Sequence, residues 1–146
     1  MLFKKSLFFC TFLLSTSQAY AVKSCKHDNM NFKCLEFITN HDSDSLTVNI
    51  PLVHPLIGSK IKFNLVNITS PSLRSRIACE KNLAKEARYF VRETLKNAKY
   101  IEAKDVFRDR SFAFRGEIFY DGKNLSRKLI SKGYAKERTK KKVKWC

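Results

Sequence analysis

Acidic residues are scarce in this chain beside basic ones. Thirteen Asp and Glu face twenty-nine Lys and Arg in 146 residues, a formal net charge of +16. A surface of that sign excludes polycations as partners and favours nucleic acid, anionic lipid headgroups or acidic polysaccharide. Long apolar runs are also missing. The longest stretch, Leu7 to Leu14, falls well short of the ~20 residues that span a bilayer, which excludes a membrane-spanning helix in the chain beyond it. No Cys-x-x-Cys or Cys-x-x-His pair occurs, so a structural zinc site has no ligand spacing to rest on. No lipoprotein-type cleavage box precedes Cys25, which follows Val22, Lys23 and Ser24. There is no internal repeat.

What is present begins with a leader. Lys4 and Lys5, the apolar run with Phe8, Phe9 and Phe12, and Ala19-Tyr20-Ala21 have the three-part layout of a signal peptide over residues 1–21. Residues 22–146 are then one domain with a basic C-terminal tail, and the loss of Lys4 and Lys5 lowers the net charge to +14. The protein is expected to be exported, periplasmic or secreted, and monomeric. Cysteine usage agrees: Cys10 leaves with the leader, and Cys25, Cys34, Cys79 and Cys146 make two disulfides with three connectivities open.

Period-2 alternation marks the strands. Leu35 to Thr39 is a short apolar run. Leu46, Val48 and Ile50 alternate with Thr47 and Asn49, and Ile61, Phe63 and Leu65 alternate with Lys62 and Asn64. Pro51, Pro55 and Gly58 punctuate a loop between them. Leu83, Ala87, Phe90, Val91, Leu95 and Ala98 recur at helical steps and predict a helix over residues 77–98, with Lys81, Lys85, Arg88, Arg92 and Lys96 as a separate basic stripe. Strands are expected at Tyr100 to Ala103 and Phe112 to Tyr120, then a helix from Leu125 to Lys132, capped by Asn124 and stopped at Gly133. The tail from Lys136 to Lys144 holds six basic residues and one acid, Glu137.

Residues 61 to 72, Ile-Lys-Phe-Asn-Leu-Val-Asn-Ile-Thr-Ser-Pro-Ser, follow an Asp-Ser-Asp turn at 42 to 44 and precede the long helix. With Asp-Gly-Lys-Asn-Leu at 121 to 125 and Lys-Gly-Tyr-Ala at 132 to 135, this order resembles the staphylococcal nuclease (thermonuclease) family from about Leu35 to Cys146. The resemblance implies an α+β fold: a five-stranded OB-fold β-barrel with two to three helices. Family members that end in Trp-Cys, as here at Trp145-Cys146, usually carry a matching cysteine at the start of the first long helix. By that analogy Cys79 pairs with Cys146, which leaves Cys25–Cys34 as a local staple.

Phosphodiester hydrolysis needs carboxylates on a hard cation, a base on water and guanidinium groups on the phosphate. The family supplies two aspartates and a carbonyl on calcium, one glutamate and two arginines. Asp44 matches the first calcium aspartate and Asp42 a neighbouring acid. Thr69 stands for the second aspartate, Ser70 for the carbonyl position, Ser72 for the glutamate and Asn64 for the first arginine. Counting back from Asp121-Gly122, Ala113 stands for the second arginine. Four of the five charged positions are neutral, which implies a weak, vestigial Ca2+ site at most and an inactive centre. Arg115 offers a relocated clamp, and Glu117 and Glu80 are acids within reach of the same region; the alternative is that all are solvated surface charges. His41 belongs to a polar turn or a metal site, while His54 and His27 read as loop residues without visible partners. For nucleic-acid contact the candidates are Arg74, Arg76, Arg110, Arg115, Lys140, Lys141 and Lys142. Three functions follow: a pseudoenzyme that binds nucleic acid or another polyanion, an active calcium-dependent nuclease with displaced residues, or an envelope or protein-interaction module.

Overall fold

A computed structural model describes residues 25–146; the leader expected over residues 1–21 lies outside them. The alternating segments all form strands. β1 (Glu36–Asn40), β2 (Ser45–Asn49), β3 (Ile61–Leu65), β5 (Ile101–Arg108) and β6 (Phe114–Tyr120) lie in the order β1-β2-β3-β6-β5, with β7 (Lys123–Asn124) on β6. Pairings are antiparallel except β3 with β6, which is parallel. On β2, β3 and β6 alternate residues are buried, Leu46 and Val48, Phe63 and Leu65, Gly116, Ile118 and Tyr120, whereas on β1 Ile38 is exposed and the polar Asn40 is buried. The alternate residues of β2, β3 and β6 are polar except Phe119, as expected for a half-buried pleated surface.

The expected barrel is only partly realised. No β1–β5 ladder closes the sheet. The segment before β1 approaches β5 instead, through a Phe32–Ala103 bridge and the Leu35 amide, which donates to the Ile101 carbonyl at 2.8 Å. The Cys25–Cys34 disulfide lies at the end of this segment. His27 also has partners: Nε2 lies 2.6 Å from the Pro51 carbonyl, and Nδ1 accepts from the Lys33 amide. Gly116 is required by β5 passing close overhead. A Cβ there would lie 2.7 Å from the Lys104 carbonyl oxygen and 3.1 Å from the Phe63 ring.

The long helix is α2 (Ala78–Lys96), shorter than its periodic pattern by one residue at the start and two at the end. It buries Ala84, Ala87, Val91 and Leu95, while Leu83 and Phe90 are half-buried. Asn40 fastens it to β1: its amide donates to the Arg88 carbonyl at 2.9 Å, and the Arg88 side chain donates back to the Asn40 carbonyl. α3 (Leu125–Ser131) starts where Asn124 caps the Arg127 amide and ends before Gly133, whose φ of 74° needs glycine's freedom. The loop expected at 51 to 58 contains a one-turn helix, α1 (Pro55–Gly58), with His54 Nδ1 accepting from the Leu56 amide. β5 runs five residues past its expected end at Ala103.

A second, two-stranded sheet had no sequence signal. β4 (Ile68–Thr69) pairs with β8 (Lys136–Glu137), so the start of the basic tail is bonded to the Ile-Thr segment of the motif. The chain end returns to α2 through the Cys79–Cys146 disulfide, as the analogy implied. Among the described residues no helix is long and apolar enough to cross a membrane.

Candidate nucleic-acid interface

Several residues singled out in the sequence lie together in the sheet. Asn64 is in register with Ser45 on one side and with Arg115 on the other. The Leu65 amide donates to the Asp44 carbonyl at 2.8 Å, and the Val66 amide donates to Gly116. Asp44, Asn64 and Arg115 therefore stand on three adjacent rows, with Thr69 and Ser70 at the end of the same segment.

Asp44 is the one matched carboxylate, and its surroundings disfavour its charge. Burial is the main reason that its pKa is raised, with the adjacent Asp42 adding to the effect. The neighbouring Ser70 and the Arg138 guanidinium oppose the shift without cancelling it. Ser43 keeps a buried hydroxyl without a hydrogen-bond partner. Calcium takes six to eight oxygen ligands, several of them carboxylates, at about 2.3–2.6 Å. Among the described residues no group of three or more His, Cys, Asp or Glu side chains converges. The donor set at Asp44 does not fit the ion, and His41, exposed in the turn with its amide on the Ser45 carbonyl, adds no third ligand.

The raised pKa carries a pH signature. A carboxyl held more tightly to its proton in the folded state favours folding below the ordinary aspartate range, near pH ~3.9. That contribution is lost as pH rises through the folded value, so the ionised group works against the fold at neutral pH. Asp44→Asn is expected to raise Tm at pH 7, with the difference fading as the pH falls below about 4. Thermal melts of both proteins at pH 3 and pH 7 would show it. Calcium added to the parent should leave Tm unchanged.

The groups proposed to have taken over the chemistry are held by other residues. Arg115 Nε pairs with Asp109 Oδ2 at 2.8 Å. Asp109 Oδ1 meanwhile accepts from the Ser111 amide, the Ser111 hydroxyl and the Ala113 amide. These bonds from Ser111 and Arg115 hold the Asp109 carboxyl well below its ordinary range. One aspartate thus builds the β5–β6 turn and fixes the relocated arginine. Ala113 itself is buried and lies just before β6, with its carbonyl accepting from the Asp109 amide. Glu117 accepts from the Asn124 side chain at 2.9 Å. Glu80 accepts from the Ser72 amide and the Ser75 hydroxyl, which lower its pKa and cap the turn leading into α2. Glu80 thus has both carboxylate oxygens engaged, Glu117 one.

The basic candidates fall into separate places. Arg115 lines a cleft of about 370 Å³ with Val66, Asn67, Asp105, Glu117 and Arg138. Arg76 and Lys142 line another, near the chain end. Arg74 is exposed, its amide on the Ser72 hydroxyl; Arg110 is exposed on the Asp109 turn; Lys140 and Lys141 are exposed along the tail. Arg138 was missed as a site residue. Its amide donates to the Asn67 carbonyl, and its guanidinium donates to the Ile68 carbonyl at 3.2 Å from Nε and 3.1 Å from Nη2. Its only sequence signal was membership of the basic tail, because its partners lie 70 residues away.

Comparison with known proteins agrees with this geometry. A search of curated proteins finds no match. The family model described as "Staphylococcal nuclease homologue" matches residues 62–144, from β3 through the basic tail. That match covers more than half of the chain, and with the α+β arrangement above it establishes that this protein belongs to the staphylococcal nuclease homologue family.

Proposed function

We propose that the protein is an exported, catalytically inactive member of the nuclease family that binds nucleic acid or another polyanion through a basic surface. The observation that carries this reading is the course of the tail. β8 pairs with Ile68–Thr69, Arg138 bonds the carbonyls of Asn67 and Ile68, and Cys146 is tied to Cys79 at the start of α2. Six basic side chains are thereby carried past the motif whose acids and arginines have gone. Phosphate attraction needs only such a field, whereas hydrolysis needs the lost carboxylates. The active-nuclease alternative is weakened by the Asp109–Arg115 pair and by the fully engaged Glu80. A docking role is favoured by one feature, the exposed Leu52, Leu56 and Ile57 around α1, which are 80%, 87% and 55% accessible.

Single-stranded DNA and RNA binding, followed by anisotropy across a salt series, tests the proposal. For contact with about four phosphates, affinity should fall roughly fifty-fold between ~50 and ~200 mM salt, log-linearly. Replacing Lys140, Lys141 and Lys142 by glutamine should flatten the slope. Calcium-dependent cleavage by the parent, or binding indifferent to salt, would overturn it.

A further inference from the structure

The end of the chain closes a cavity of about 580 Å³ that none of the family's catalytic positions enters except through the turn beside it. Its walls include Arg76, Ile77, Glu80, Lys142, Lys144 and Trp145. Trp145 is the single tryptophan of the chain and is half-buried. Three of these walls are cationic. The one acid, Glu80, already has both carboxylate oxygens hydrogen-bonded, to the Ser72 amide and the Ser75 hydroxyl. Ile77, 60% accessible, adds an apolar edge.

Trp145 is also held in place. The Lys136 ammonium sits 5.3 Å from its ring centroid, and the same ammonium donates to the Lys144 carbonyl at 2.7 Å. Lys136 is not part of the cavity wall. The next residue, Cys146, is bonded to Cys79. A large aromatic ring fixed from both neighbours loses little freedom on binding, and cations beside it match what a base with flanking phosphates presents.

We propose that this cavity is a base-stacking subsite for single-stranded nucleic acid, in which Trp145 stacks on a base and Arg76, Lys142 and Lys144 hold the adjoining phosphates. The inference rests on the polyanion-binding reading above and adds to it a preference for bases over bare charge. Stacking on an aromatic side chain is tolerant of sequence, so the subsite takes any unpaired base.

The test compares two probes on the oxidised full-length protein: oligothymidylate of about twelve nucleotides, within the span of one OB-type fold, and an abasic strand of the same length. Both carry the same phosphates. The oligothymidylate should quench Trp145 fluorescence saturably and bind about fivefold or more tightly than the abasic strand, which should bind without quenching. Trp145→Ala should bring the two affinities together while leaving abasic binding within about twofold. Arg76→Gln with Lys142→Gln should weaken both strands. If Trp145→Ala does not fold, the quenching and affinity ratio of the unmodified protein decide the matter alone. Equal affinities without quenching would overturn the subsite and leave polyanion binding standing. Failure of both strands to bind would overturn both readings.

Discussion

Combining Asn64→Arg, Thr69→Asp, Ser72→Glu and Ala113→Arg is expected to give the protein a calcium-dependent cleavage of DNA that the parent, on the inactive reading proposed above, lacks. Backbone geometry supports the expectation. Residues 44, 64 and 115 already occupy adjacent rows, and residue 69 is fixed by its pairing with Lys136. A preorganised charge-stabilising group is worth about 10²–10³ in rate, so on the proposed reading, in which two arginines, a base and a metal ligand are replaced together, no cleavage by the parent is expected.

Two physical consequences make the variant diagnostic before any cleavage is assayed. An aspartate at position 69, next in the chain to the Ser70 that bears on Asp44, would add negative charge near a carboxylate whose charge is already disfavoured, so the variant should lose stability in chelator and regain it with calcium. Ala113 is buried and bonded at both amide and carbonyl to Asp109, so the arginine placed there must open the β5–β6 turn. Melts with calcium and with chelator, then cleavage of single-stranded DNA, check the series. A variant that folds, gains calcium-dependent stability and still fails to cut would show that position 113 is not the family's second arginine.

The second large effect is expected from the Cys79–Cys146 disulfide. It closes a loop of 67 residues in sequence. On chain-entropy grounds, removing a cross-link of that span costs about 4 kcal/mol. For a domain of this size the loss lowers Tm by on the order of 15 °C. Replacing both cysteines by serine, followed by a thermal melt, checks it, and the same pair at Cys25 and Cys34 should cost less because its separation is 9. The double variant should also lose the salt-sensitive binding proposed above, since the tail would no longer be held beside α2. A change in Tm of only a degree or two would mean that β4–β8 pairing alone holds the tail down.

The sequence by itself determined what depends on neighbours along the chain. The alternation at Leu46, Val48 and Ile50, the helical stripe through Ala87, Val91 and Leu95, the Asn124 cap and the Gly133 stop are local patterns, and each element formed where its pattern lay. The neutral residues at 64, 69, 72 and 113 were legible for the same reason, since identity needs no coordinates. Tertiary structure decided whatever joins residues far apart. Two-residue strands such as β4 and β8 carry no period, so their pairing across 68 residues could not be read. Nor could the place of Arg138 on the Ile68 carbonyl, the partners of His27, or the incomplete closure between β1 and β5. Arg115 shows the difference most clearly. As a residue type it was a spare guanidinium two residues beyond Ala113; in the fold it is the partner that Asp109 holds while building a turn. A side chain's chemistry is set by composition, but its availability is set by whichever group the fold brings to it first.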